Sequence, residues 1–335
     1  MKALGLKTNI GGESLDLSKL LLPFLYNSLR IEEGHRPVGF RFSKHIFNIV
    51  ANLNGREIVV CGEAETRELA YAKVTSELIE RSALLSNAAK YGVGTSNGWA
   101  AHPDRKQAKI NATLELVERD AVLAQWYSST PFLQIDSVSL PIEIQSWASQ
   151  ELSRSEYPKL ILLLSSKGFG PSVTCILQNE HGFGVSAHCT KSELYQSVVG
   201  AITEACRAAH SSIRKEHWKN SLKLKNGVSG LLDPSTHGVY YAYHEPFPKW
   251  MFGKSISYVD ANSLWTERVA EVLFDSQFKF QSVMELPIHV GFTTHPQAFE
   301  LIWERTDAKE ISQSIGAKRL NLKSETINGN PHIVS

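Results

Sequence analysis

The stretches Glu77-Leu78-Ile79-Glu80-Arg81 and Glu115-Leu116-Val117-Glu118-Arg119 repeat one pattern, two glutamates three apart with an arginine directly after the second. Each lies in a longer apolar run without Gly or Pro, Glu68 to Arg81 in the first case and about Asp104 to Trp126 in the second, which predicts two helices. Residues three apart on a helix project from the same side, so each copy presents its two carboxylates together. If the two helices face each other, four carboxylates converge. Such a cluster repels itself in a partly dry site unless cations occupy it, and all-oxygen ligation is the preference of hard ions such as Mg²⁺. A nucleoside triphosphate held through magnesium is then the natural ligand.

Working outward, Asp104 can cap the second helix, with Pro103 just outside it. Upstream, Ile46-Phe47-Asn48-Ile49-Val50 and Glu57-Ile58-Val59-Val60 flank Asn54-Gly55, the signature of a β-hairpin, and Phe40-Arg41-Phe42 alternates as a strand does. Between the helices, three glycines in Gly92 to Gly98 break the chain. Downstream, Leu160 to Leu164 and Val173 to Leu177 read as buried strands joined by a turn at Gly168-Phe169-Gly170-Pro171. Gly182 to His188 reads as a further strand, Ser192 to His217 as a long helix, Leu264 to Phe274 as a short one and Ile288-His289-Val290 as a short strand. These alternations predict an α+β fold, mixed β-sheets with packed helices in repeated strand-helix units around a nucleotide pocket. The expected organisation is an accessory segment over 1–35, an ATP-binding domain over 36–315 and a polar, loosely held tail over 316–335.

The 335 residues, 42% hydrophobic, suffice for a sizeable interior. A net charge of +1 provides no broad basic field, so nucleic acid is not an expected partner. No stretch approaches the roughly 18 uninterrupted apolar residues of a membrane span, and the N-terminus lacks a signal-like apolar core. A cytoplasmic location is expected. Cys61, Cys175, Cys189 and Cys206 are scattered without zinc-ligand spacing and read as buried thiols.

Ser96-Asn97-Gly98-Trp99-Ala100-Ala101, followed by Ala108, Glu115, Glu118, Arg119 and Asp120, resembles the YcaO family, as does the earlier Glu77-x-x-Glu80-Arg81, the similarity running from about Gly39 to Arg214. Members hold ATP and Mg²⁺ on the paired acidic motifs and activate backbone amides of ribosomally made peptides. The resemblance implies Glu77, Glu80, Glu115 and Glu118 as metal-site carboxylates, Arg81 and Arg119 near the phosphates, and Ser96, Asn97 and Glu204 in the cofactor site. It implies a cyclodehydratase: a Cys, Ser or Thr side chain of the substrate adds to a backbone carbonyl, the oxygen takes the γ-phosphoryl group of ATP, and loss of phosphate leaves an azoline. A precursor peptide is the implied substrate. With no fused leader-recognition domain evident, a separate recognition or accessory protein is expected to deliver it, and a homodimer is compatible with the same reading.

Five departures qualify that picture. Lys73 and Asn111 stand four residues before Glu77 and Glu115, where the family often has serine; a lysine there can still reach a phosphate. Thr203-Glu204-Ala205 matches the family's third segment, but Arg207 replaces a common glutamine and Ala209 an expected arginine, so one phosphate contact is missing unless Arg207 or Arg214 replaces it; the plain reading of Arg207 is a surface charge on a packed helix. The ending Asn330 to Ser335 lacks the proline-rich terminus of many azoline-forming members. Thioamide or amidine formation and a non-catalytic scaffold therefore stay open, as does the plain reading in which each glutamate pairs with a basic neighbour on a solvated helix face. Cys189 beside His188 invites a nucleophile reading, but no third group is identifiable and no catalytic residue is assigned.

Overall fold

The computed structural model describes residues 7–10, 13–16, 30–34, 44–53, 56–91, 96–210, 240–243, 245–285, 288–299, 308–328 and 333. The chain divides into two compact units, Met1–Thr113 with Phe280–Thr293, and Leu114–Lys279 with Thr294–Ser335.

In the first unit, β1 (Lys7–Ile10) and β2 (Glu13–Asp16) pair antiparallel. β3 (Arg30–Gly34), β4 (His45–Leu53) and β5 (Arg56–Ala64) form an antiparallel sheet in that order. The β4–β5 hairpin is the one expected from sequence, with Leu53 opposite Arg56; the turn residues themselves, like Phe40 to Phe42, lie outside the described residues. Alternation explains the packing. Phe47, Ile49 and Ala51 of β4 point to one face with Val60 of β5, and α1 (Arg67–Tyr91) covers that face with Ala70, Tyr71, Val74 and Leu78. A second sheet of this unit orders β12 (Lys279–Met284), β13 (His289–Thr294) and β6 (Trp99–His102). Its core stacks Trp99 on Phe292 at 5.0 Å, beside Ile79 of α1.

In the second unit, a five-stranded sheet runs in the order β10 (Gly184–Cys189), β9 (Val173–Gln178), β8 (Lys159–Leu164), β7 (Phe132–Ile135), β11 (Phe252–Ile256). β11 joins β7 in parallel and the other pairs are antiparallel, so the sheet is mixed as expected. Every residue of β9 is buried, matching its unbroken apolar run. The predicted second helix is α2 (Arg105–Tyr127); α3 (Ile142–Gln150), α4 (Leu194–His210) and α5 (Tyr258–Phe274) follow. α4 ends its described length at His210 rather than His217, and α5 starts six residues earlier than the sequence suggested because Ser257 caps it, its Oγ accepting from the Asp260 N–H at 3.1 Å.

The expected loose tail is instead packed over its described residues. After α6 (Ala308–Gln313), the short α7 (Ile315–Arg319) buries Ala317, and Ile327 and Ile333 join the same core as Trp126 and Phe299. The few apolar residues of this polar segment are placed inward, and its Arg319 is held by a buried carboxylate, which sequence polarity does not reveal.

Candidate functional site

The first acidic pair stands on α1. Glu77 Oε2 accepts from the Cys61 N–H of β5 at 3.3 Å, and Glu77 Oε1 lies 3.7 Å from Arg81, an i,i+4 pair with both side chains partly exposed. Glu80 is half-buried one turn along. Lys73 donates to the carbonyl oxygen of Glu63 at 3.0 Å, so its ammonium rests at the end of β5. Ser96 opens a turn in which the Trp99 N–H donates to the Ser96 carbonyl at 3.3 Å, and Gly98 takes the left-handed conformation, φ 73°, that this turn requires. Asn97 is partly buried in the same turn, and Asn111 accepts from the Gln107 amide at 2.8 Å on α2.

The second pair stands in the other unit. Asp104 caps α2 as expected, its Oδ1 accepting from the N–H groups of Lys106 and Gln107 at 2.6 and 3.0 Å. The apolar side of α2, with Leu116, Val117, Ala121 and Val122, is buried, and Glu115, Glu118 and Arg119 occupy the remainder. The Glu118 side chain is only 12% exposed; its Oε2 accepts from the Thr190 N–H at 2.8 Å, and its Oε1 lies 3.9 Å from Arg119. Burial is the main cause that pushes its carboxyl from an ordinary 4.5 up to about 8, with Arg119 and Lys191 opposing and the like charges of Glu204 and Glu115 adding. Glu115, Glu118 and Glu204 thus share one electrostatic neighbourhood with two cations.

Glu204 comes from α4, which lies close on β10: a Cβ on Gly200 would collide with Cys189 Sγ. Arg207 Nη2 is 3.9 Å from Glu204 Oε2 with its side chain 40% exposed, and Ala209 is buried. Arg214 lies outside the described residues.

His188 and Cys189 do not cooperate. His188 Nδ1 bonds Thr174 Oγ1 at 2.9 Å and its Nε2 the Ile333 carbonyl at 2.8 Å, while Cys189, next along the strand, faces Gly200. Burial pushes the imidazole down to about 3, so it is neutral and serves to anchor Ile333.

Two groups were given no role by the sequence reading. Asp120 follows Arg119 and is fully buried; Oδ1 accepts from the Phe299 N–H at 2.9 Å, and Oδ2 accepts from the Phe169 N–H and Arg319 Nη2, each at 3.0 Å. Lys191 follows β10, and its only sequence signal is the polar run Cys189-Thr190-Lys191-Ser192 between a strand and a helix.

The donor chemistry suits Mg²⁺ and phosphates. The carboxylates of this unit are hard oxygen donors, and burial, with the like charges of Glu204 and Glu115 adding, raises the carboxyl of Glu118. Among the described residues, no three His, Cys, Asp or Glu side chains are grouped to hold a metal by themselves. Mg²⁺ commonly takes one or two carboxylates and completes its shell with phosphate oxygens and water, so it needs no larger protein cage. Among the described residues, no helix is long and apolar enough to cross a membrane.

Comparison with known proteins matches residues 82–273 to the family model "YcaO cyclodehydratase, ATP-ad Mg2+-binding". A solved structure of YcaO from Methanopyrus kandleri bound with AMPPCP and Mg²⁺ shares the fold at a TM-score of 0.57 and 14% identity, over 82% of this chain and 86% of that one. A heterocyclase in complex with substrate and cofactor gives 0.61 at 10% identity, over 97% of this chain and 59% of that one. The search of curated proteins found no match.

Proposed function

Because the chain belongs to the YcaO family, whose cofactors are ATP and Mg²⁺, we propose that it spends ATP to activate backbone amides of a ribosomally made peptide, cyclising Cys, Ser or Thr to azolines. The observation that carries this reading is the group around Glu118, a largely buried carboxylate flanked by Glu115 and Glu204 in a member of an ATP- and Mg²⁺-binding family. Bound ATP with Mg²⁺ would supply the phosphoryl group that turns the amide oxygen into a leaving group. In this assignment Glu77, Glu80, Glu115 and Glu118 are the candidate metal-site carboxylates, one or two of them meeting an ion whose shell phosphate oxygens and water complete. Arg81 and Arg119 face phosphate charge, and Lys73, Ser96, Asn97, Asn111, Glu204 and Arg207 complete the cofactor contacts. The low exposure of Glu118 keeps solvent from the reacting groups, which strengthens every charge interaction there. The substrate is a precursor peptide delivered in the cytoplasm by a separate recognition protein.

Titration of ATP by calorimetry, with Mg²⁺ and then with chelator, tests the cofactor assignment: affinity is expected only with the ion, and equal affinity in both would sink it. Phosphate release with candidate precursor peptides, with and without proteins encoded beside this one, tests the reaction and the delivery partner. The buried Ala209, where the family carries arginine, favours one second reading, a non-catalytic peptide-binding scaffold. Absence of nucleotide turnover in every combination would support it.

A further inference from the structure

Glu118 and Asp120 stand two residues apart on α2, and a closed circuit of hydrogen bonds joins them through two distant segments. Asp120 Oδ2 accepts from the Phe169 N–H at 3.0 Å. Two residues further along that loop, the Pro171 carbonyl accepts from Thr190 Oγ1 at 3.2 Å, and the Thr190 N–H returns to Glu118 Oε2 at 2.8 Å. The loop lies flush on the helix: a Cβ on Gly168, whose φ is 86°, would collide with Ala121, and one on Gly170 with Val117. Arg268 of α5 also fastens the loop, donating to the carbonyls of Ser165 at 2.7 Å and Gly170 at 2.9 Å. Thr190 is 2% exposed and directly follows β10, whose last residue, Cys189, pairs with Val173 of β9. Its backbone donor is therefore held by the sheet before it and by its own hydroxyl.

We propose that Thr190 is a positioning residue, which commits Glu118 Oε2 to the protein and presents Glu118 to the ion through Oε1 alone. The inference rests on the ATP and Mg²⁺ reading above. Oε1 has Arg119 Nε at 3.9 Å, outside hydrogen-bond reach, so it is the oxygen with capacity left for a ligand. The consequence is a preference between cations. Mg²⁺ fits a tight octahedron built from one or two carboxylates, phosphate oxygens and water, whereas the larger Ca²⁺ also accepts a carboxylate that gives both of its oxygens. A glutamate that cannot turn supplies the first kind of contact and denies the second.

Thr190→Val keeps the side chain's shape and the backbone N–H and removes the hydroxyl. In the metal-free chain, amide hydrogen exchange at residue 190, corrected for its intrinsic rate, should quicken several-fold relative to the other amides of β10. In calorimetry with ATP, the Mg²⁺-dependent affinity should fall about tenfold, the lower end for loss of a partner that orients a metal ligand. The Ca²⁺-dependent affinity should hold or rise, so the ratio moves toward Ca²⁺. Thr190→Ser should restore both the slow exchange and the ratio. If the valine variant does not fold, Thr190→Ala set against Thr190→Ser isolates the same hydroxyl. An unchanged ratio of the two affinities, whether both hold or both fall, would overturn the proposal and leave the nucleotide reading standing. Exchange at residue 190 as slow as in wild type would overturn it too. A wild-type chain that binds no ATP with either ion would overturn the nucleotide reading, and this inference with it.

Discussion

The two copies of the acidic pattern carry the same residue types on the same helical spacing and meet different environments. In the first, Glu77 and Arg81 form an i,i+4 pair with side chains 31% and 42% exposed. In the second, Glu118 and Arg119 are 12% and 21% exposed, and burial raises the glutamate. The residue that follows the pattern marks the difference. Ser82 turns back on its own helix, its Oγ donating to the Leu78 carbonyl at 2.7 Å, whereas Asp120 gathers Phe169, Phe299 and Arg319 from three distant segments. A motif of two glutamates and an arginine therefore specifies which charges are offered, and the next residue specifies how firmly the helix is embedded.

The largest expected effect tests that last statement. Asp120→Asn retains the shape but leaves one oxygen for three donors, and its new amide faces an N–H or the guanidinium of Arg319, whose side chain is 13% exposed. Breaking a buried pair from one side leaves a buried charge, so denaturant unfolding should show a loss of about 3 to 5 kcal/mol. Ser82→Ala should stay within about 1 kcal/mol, since its hydroxyl only duplicates a bond within the helix. Equal losses at the two positions would mean that the copies do not differ in the way they are anchored.

Second in size is the charge of Glu118 itself, measured without metal under chelator. Its folded value lies above the unfolded one, so its contribution is fully present below about pH 4.5 and is lost as pH rises toward about 8. Glu118→Gln removes that loss and keeps an acceptor for the Thr190 N–H. The variant should therefore gain stability over wild type on going from acid to neutral pH, by about 3 kcal/mol at pH 7, even as Mg²⁺-dependent ATP binding collapses. Glu77→Gln, at a side chain 31% exposed, should also impair ATP binding but change stability by no more than about 1 kcal/mol. A stability gain at Glu77 equal to that at Glu118 would erase the contrast.

How far these features could be read in advance follows their range along the chain. The two helices, the Asp104 cap and the β4–β5 hairpin depend on neighbours within a few residues, and periodicity revealed them. The parallel joining of β11 to β7 depends on a partner far away in sequence, and short strands such as Phe132–Ile135 have no distinctive pattern of their own. The acidic residues of the candidate site were legible because the pattern occurs twice. Asp120 was visible as the last residue of the stretch that carries the resemblance but was given no role, since its function in the fold is defined by backbone donors at residues 169 and 299. The polar stretch after Gly316 hid its burial because its inward residues are few and scattered: among the described residues, Ala317, Ile327 and Ile333 are buried, with Leu320 and Leu322 packed against the same core.

The smallest effect concerns the exposed pair of the first copy. An i,i+4 ion pair on a helix surface contributes about 0.3 to 0.5 kcal/mol, and salt near 1 M screens it because the Debye length falls to about 3 Å. Arg81→Gln should therefore lower stability by no more than about 0.5 kcal/mol at low salt, and by nothing measurable at high salt. If Arg81 is nonetheless a phosphate contact, the same variant loses about tenfold or more in ATP affinity while unfolding like wild type, since its charge is then held for the ligand and not for the fold. Stability falling by more than about 1 kcal/mol, with no relief in salt, would make the first copy a structural element like the second and collapse the comparison.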